Sequence, residues 1–172
     1  MSFVITKAAI EHAEGFANVM VRSWHAAYTG IIPQHYLDDM VTMEKNLPRF
    51  RRILANSTFA NYVSILDGQV IGVLTIGRLR EEHAGDQDGE IISIYLLPEY
   101  FNQGYGKMMM DFAIAKLCAL GLSNIYIWVL KGNSRARRFY EKCGFVLTAK
   151  EKTIQIGIPL LEVCYWKQFS GE

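Results

Sequence analysis

The sequence predicts an α/β fold, a mixed sheet with helices on both faces, and three observations point to it. Asp67-Gly68 separates two strand-like runs, the short-range signature of a hairpin. Apolar runs at 90–97 and 125–130 alternate with helical patterns at 107–120 and 133–142, giving two strand–helix–strand units. The tail from Phe145 onward is again rich in β-branched and aromatic residues.

Taken in order, Phe3 to Lys7 (FVITK) reads as a first strand. Phe16, Val19, Met20, Ser23, Trp24 and Ala27 recur at helical spacing, and the pattern stops at Thr29-Gly30. Pro33 suits the first turn of a short helix, PQHYLDDMV. A third helical stretch, 42–55, contains Pro48, which is expected to interrupt or restart it. Residues 61–66 and 69–80 form the hairpin about Asp67-Gly68, and the polar loop EEHAGDQDG leads to the strand at 90–97. Gly121 and Gly144 close the last two helices.

The chain of 172 residues is long enough to bury a core, and is read as one domain, 1–172. With 51% hydrophobic residues and a formal charge of +1, it carries no general basic field for nucleic acid or an anionic membrane. No apolar run approaches a membrane span, and the N-terminus lacks the apolar core of a secretion signal. Cys118, Cys143 and Cys164 have no metal-like or CxxC spacing and read as reduced, buried thiols of a cytoplasmic protein. No metal site is expected.

Two segments carry chemistry. PEYFNQGYGK places Gly104 and Gly106 between a strand and a helix, where unpaired N–H groups at the positive end of a helix dipole suit an anion. The dinucleotide and Walker patterns both fail here, because Met109 stands at the third glycine and no Ser or Thr follows Lys107. A plain turn therefore competes with a ligand site. KGNSRARRFYEKCGF sets Lys131, Arg135, Arg137 and Arg138 around a helix start. Either these cations form a solvated face, with Arg137 paired to Glu141 at i,i+4, or some of them meet phosphates.

Together, EIISIYLLPEYFNQGYGKMMM and NSRARRFYEKCGF resemble the GCN5-related N-acetyltransferase family, with GIPLLEVCYWK similar to its closing strands and RSWHAAYTGIIPQHYL to its substrate-side helices. The resemblance implies the acyl-CoA N-acyltransferase type of fold, a mostly antiparallel twisted sheet of six to seven strands. It implies acetyl transfer from acetyl-CoA, as co-substrate, to a primary amine of a small molecule or peptide. A non-catalytic acyl-CoA sensor of the same fold is the alternative. By the same resemblance, backbone N–H groups from Gln103 through Gly104, Tyr105 and Gly106 to Lys107 hold the pyrophosphate. Those of Ile94, Tyr95 and Leu96 meet the pantetheine arm and thioester. Asn133, also a natural helix cap, contacts coenzyme A together with Arg135 and Arg138. The family's loop usually opens with Gln or Arg, where this chain has Phe101.

Tyr140 falls where the family often keeps a general acid for the thiolate; a core aromatic beside Phe139 is the other reading. Glu90, at the head of its strand, is the expected base, relaying the amine's proton through water, with His25 and Glu99 as alternatives. Trp24, His25, Tyr28 and Tyr36 are expected to line the acceptor cleft, with core packing as the other reading of Trp24. The carboxylates Asp38, Asp39, Asp86, Asp88 and Glu90 suggest a cationic acceptor such as a polyamine. CYWKQF, read as an exposed sheet end, leaves room for a homodimer.

Overall fold

The computed structural model describes residues 2–169. Its seven strands form one sheet in the order β1-β2-β3-β4-β5-β7-β6. The strands are β1 (Phe3–Lys7), β2 (Ala60–Leu66), β3 (Gln69–Arg78), β4 (Asp88–Leu96), β5 (Asn124–Leu130), β6 (Val146–Ile156) and β7 (Ile158–Gln168). The helices are α1 (Ala13–Tyr28), α2 (Gln34–Met40), α3 (Met43–Asn56), α4 (Tyr105–Ala119) and α5 (Ser134–Lys142).

The hairpin falls where Asp67-Gly68 predicts it. Asp67 at φ 47° and Gly68 at φ 85° both adopt the left-handed conformation that a two-residue turn between twisted strands requires. Every neighbouring pair in the sheet is antiparallel except β4 with β5. The helix α4 forms the crossover between those two parallel strands, as a parallel connection demands.

Helices α4 and α5 cover one face, where Met109, Met110, Ala113, Leu117 and Tyr140 pack on strand residues such as Leu74, Ile91, Ile125 and Tyr165. On the other face, α1 and α3 bring Phe16, Ala17, Val19 and Phe50 against Val63 and Val73. A smaller cluster of Tyr28, Ile32, Leu37, Val41 and Leu130 seats α2 at the mouth between α1 and β5.

Three expectations are corrected. Pro48 does not interrupt α3, which runs through it from Met43 to Asn56. An interior proline costs about 3 kcal/mol; here the Thr42 side chain caps the helix by accepting from the Lys45 N–H, and Phe50 anchors it in the core. Pro33 stands just before α2 rather than inside its first turn. CYWKQF is not a sheet end: β7 lies between β5 and β6, and the edge belongs to β6, where Val146 and Leu147 are exposed. Of the three free cysteines, Cys164 alone is fully buried, while Cys118 and Cys143 are half-buried.

The core assignment makes a paired test at the C-terminal end of α4. Leu117→Ala should lower the unfolding free energy by about 2–5 kcal/mol in chemical denaturation. Leu120→Ala, three residues on at a 65% exposed position, should stay within about 0.5 kcal/mol.

Candidate active site

The parallel partnership of β4 and β5 is short. Asp88, Gly89 and Glu90 pair with Asn124, Ile125 and Tyr126, and beyond them the strands part. From Ile91 to Leu96 the β5-facing edge of β4 has no strand partner. A cavity of about 360 Å³ occupies the opening, walled by Ile94 and Tyr95 on one side and Ile127 and Val129 on the other. Unpaired strand backbone facing a cavity is a set of donors and acceptors awaiting a ligand.

At the wide end of this cleft lies the glycine turn. Gly104 caps α4 at φ 90°, with nothing within 4 Å of where a Cβ would stand. The first hydrogen bond of the turn runs from the Met108 N–H to the Gly104 carbonyl. The N–H groups of Asn102 to Lys107 have no partner among the described residues, so they remain for an anion at the positive end of a 15-residue helix. Phe101 is not idle: the Arg135 guanidinium lies over its ring, 4.6 Å from the centroid, and both residues line the cleft. Asn133 is buried, lines the cleft and caps α5, its Oδ1 accepting from the Ala136 N–H. Both readings of Asn133 are thus geometrically compatible.

Tyr140 projects from α5 into the same cleft and is 7% exposed. Its hydroxyl joins no hydrogen bond among the described residues. Burial pushes its pKa well above the ordinary phenol value, with Tyr28 and Cys143 adding to the effect. Across the cleft the Tyr28 and Tyr95 hydroxyls meet at 2.9 Å. Burial also raises both of these pKa values, so three protonated phenols surround the opening at neutral pH.

A second cavity, of about 660 Å³, opens between α1, α2, α3 and the β2–β4 strands. Trp24 and Tyr36 line it. Ile92 and Ser93 line both cavities, so the two spaces meet there. The meeting point is a β-bulge: Thr75 pairs with Ser93 and Ile76 with Ile91, leaving Ile92 as the extra residue.

Several expected site residues are held elsewhere. Glu90 is 1% exposed and lines neither cavity. Its Oε2 accepts from the Arg80 backbone N–H and Nε, and its Oε1 from Arg80 Nη2 at 2.7 Å. His25 is bonded through Nε2 to the Val41 carbonyl and lies outside both linings. Glu99 forms an exposed two-pronged ion pair with Arg22. Tyr28 faces the strand cleft, not the second cavity. Gln103 donates to the Glu99 carbonyl, and the Tyr105 ring packs on Phe3 and Tyr100, so neither side chain enters the cleft. Leu96 lines it, and Lys107 does too while pairing with Asp111. Arg138 is exposed and lines neither cavity. Arg137 reaches Glu141 only through Tyr165, whose hydroxyl accepts from Arg137 Nε and donates to Glu141.

Other groups were missed. Glu162 of β7 lines the strand cleft, and its charge adds to the rise in Tyr28 pKa after burial. It is the one carboxylate in the apolar run GIPLLEVCYW, and that isolation was its available signal. Arg49, Arg52 and Arg80 line the second cavity. Among the described residues no group of three or more His, Cys, Asp or Glu side chains could hold a metal, and no helix is long and apolar enough to cross a membrane.

The model of the Acetyltransferase (GNAT) family matches residues 19–145. An uncharacterized N-acetyltransferase of Bacillus subtilis is 29% identical over 161 residues, covering 92% of this chain and 89% of the relative. A spermidine N(1)-acetyltransferase of Thermoplasma acidophilum is 27% identical over 149 residues, covering 84% and 89%. The solved structure of the PaiA N-acetyltransferase from Thermoplasma acidophilum, in complex with coenzyme A, superposes with a TM-score of 0.74 at 24% identity, over 98% of this chain and 100% of that one, and so shares the fold.

The Arg80–Glu90 pair is asymmetric, with side chains 47% and 2% exposed. Removing the arginine leaves a carboxylate stranded in the core; removing the carboxylate leaves an arginine that water can reach. Arg80→Ala should therefore destabilise the fold by at least about 1 kcal/mol more than Glu90→Gln in urea denaturation.

Proposed function

We propose, from the premise that this chain belongs to the Acetyltransferase (GNAT) family, that it acetylates a small-molecule amine held in the cavity behind Ile92 and Ser93. It is an acetyl-CoA-dependent N-acetyltransferase. The observation that carries the reading of the site is the junction of two cavities at the bulge, with a free phenol lining the strand-cleft side.

The chain fits the co-substrate. The open N–H groups of Asn102 to Lys107 suit a pyrophosphate, and the space over Gly104 admits it without a side chain in the way. Arg135, steadied on Phe101, brings a cation to the loop entrance where the usual polar residue is missing. The unpaired edge of β4 suits an amide-bearing arm and a thioester oxygen. When bound, acetyl-CoA supplies an electrophilic carbonyl carbon and a thiolate leaving group.

The rest belongs to the chain's residues. A carbon–nitrogen bond forms to the amine, the carbon–sulfur bond breaks, and the nitrogen gives up one proton. Glu162 lines the cleft, its Oε2 in a looser ion pair with Lys152 at 3.5 Å and its other oxygen outside that pair, and is proposed as the acceptor of that proton. Glu90, fully engaged by Arg80, is assigned instead to holding Arg80 in place. Tyr140 holds its proton at Oη and donates a hydrogen bond to the departing sulfur. A thiol, with a reference pKa of about 8.5, is a stronger acid than this phenol. Hydrogen bonding therefore stabilises the thiolate, whose final proton comes from water. A binding-only module has no use for such a donor, which favours turnover over sensing. The free cysteines support a reducing, cytoplasmic setting.

Tyr140→Phe should lower kcat about 100-fold, while the acetyl-CoA Kd measured by calorimetry moves less than about threefold. An unchanged kcat would remove Tyr140 from the chemistry. In the wild type, the alkaline limb due to Tyr140 should lie above the ordinary phenol value of about 10, since burial raises its pKa. Glu162→Gln should lower kcat/KM about 100-fold and Glu90→Gln far less; the reverse pattern restores Glu90 as the base.

A further inference from the structure

The second cavity has a sign. Arg49, Arg52 and Arg80 line it, and no Asp or Glu does. Arg49, Arg52, Ile53 and Asn56 follow one another at helical spacing, so α3 borders the space with a single face that carries two exposed arginines. Arg80 is neutralised by its fork with Glu90. Arg49 and Arg52 take part in no ion pair among the described residues. The cavity thus carries two uncompensated positive charges near its α3 wall.

The carboxylates that suggested a polyamine lie elsewhere. Asp38 and Asp39 are exposed on α2, and Asp38 accepts from Gln34. Asp86 is exposed in its loop. Asp88 is occupied by the Gly85 N–H and by Asn124, and Glu90 by Arg80. None of the five lines the cavity. A polyamine entering it would bring like charges to Arg49 and Arg52 with no counter-charge to receive them.

We propose that the acceptor is a small amine bearing an anionic group, a carboxylate or a phosphate, in the same molecule. This inference rests on the acetyl-transfer reading above and names the class of acceptor for the same site. The anion docks on Arg49 and Arg52, whose planar forks match carboxylate and phosphate oxygens in pairs. The amine end then points along the cavity to the bulge at Ile92 and Ser93, where the strand cleft begins. A cavity of about 660 Å³ accommodates a metabolite-sized acceptor of this kind. Trp24, Tyr36 and Phe50 supply its apolar wall, so part of the acceptor's carbon frame is covered as well.

The test is a matched panel assayed by thiol release from acetyl-CoA. Free amino acids are compared with their amides, O-phosphoethanolamine with ethanolamine, and spermidine is included. The anionic member of at least one pair should have a kcat/KM about tenfold or more above its neutral partner. Which pair responds distinguishes carboxylate from phosphate. In the double variant Arg49→Gln/Arg52→Gln, the anionic-to-neutral ratio should fall toward one. Equal rates within both pairs, a preference for spermidine, or an unchanged ratio in the double variant would overturn the proposal and leave acetyl transfer standing. Binding of acetyl-CoA without thiol release from any amine would instead overturn acetyl transfer, and this proposal with it.

Discussion

The constraint on which the site depends is the brevity of one parallel strand pairing. Had β4 and β5 stayed in register to their ends, their backbone groups would have satisfied each other and closed the sheet. They stay together only from Asp88 to Glu90. The separation leaves a row of polar groups open and creates the apolar-walled gap into which Tyr140 projects. On the other side of β4, the bulge at Ile92 turns the chain at the level where the two cavities meet. Both features interrupt regular β-structure, and the surrounding core of Ile91, Ile125, Met109 and Leu117 holds the interruption in place.

Charge is distributed with equal economy. The buried carboxylate Glu90 has both oxygens engaged by Arg80, so it adds little net field to the site. Arg135 is steadied by an aromatic ring and keeps its whole charge for a ligand, unlike Lys107, which shares its own with Asp111. Around the strand cleft burial raises the pKa values of the Tyr28, Tyr95 and Tyr140 phenols, which widens the pH range over which the opening carries no phenolate charge.

Much of this was legible from residues alone, and what was missed has physical reasons. Local signals survived: Asp67-Gly68 made its turn, and Gly121 and Gly144 sit at positive φ behind α4 and α5. The glycine loop and Tyr140, whose signals are each carried within a few neighbouring residues, both line the strand cleft. Pro48 misled because tertiary packing of Phe50 outweighs a local penalty. Glu90 looked like a free acid because its partner, Arg80, lies ten residues earlier on a different segment. The sign of the second cavity depends on α3, β3 and β4 coming together, which no spacing along the chain encodes. Glu162 was hidden in the same way, reaching the cleft only because β7 inserts between β5 and β6.

The shared wall at Ile92 and Ser93 has a consequence for ligand design. Nothing but two residues of one strand separates the space suited to the thioester from the space suited to the acceptor. A single compound that joins coenzyme A to an anionic amine would need only a tether long enough to pass that shared wall. Such a bridging ligand loses its translational freedom once instead of twice, so its affinity should approach the product of its halves multiplied by an effective concentration set by the tether. The bulge thereby makes this chain a natural target for bisubstrate inhibitors, with selectivity residing in the arginine-lined half.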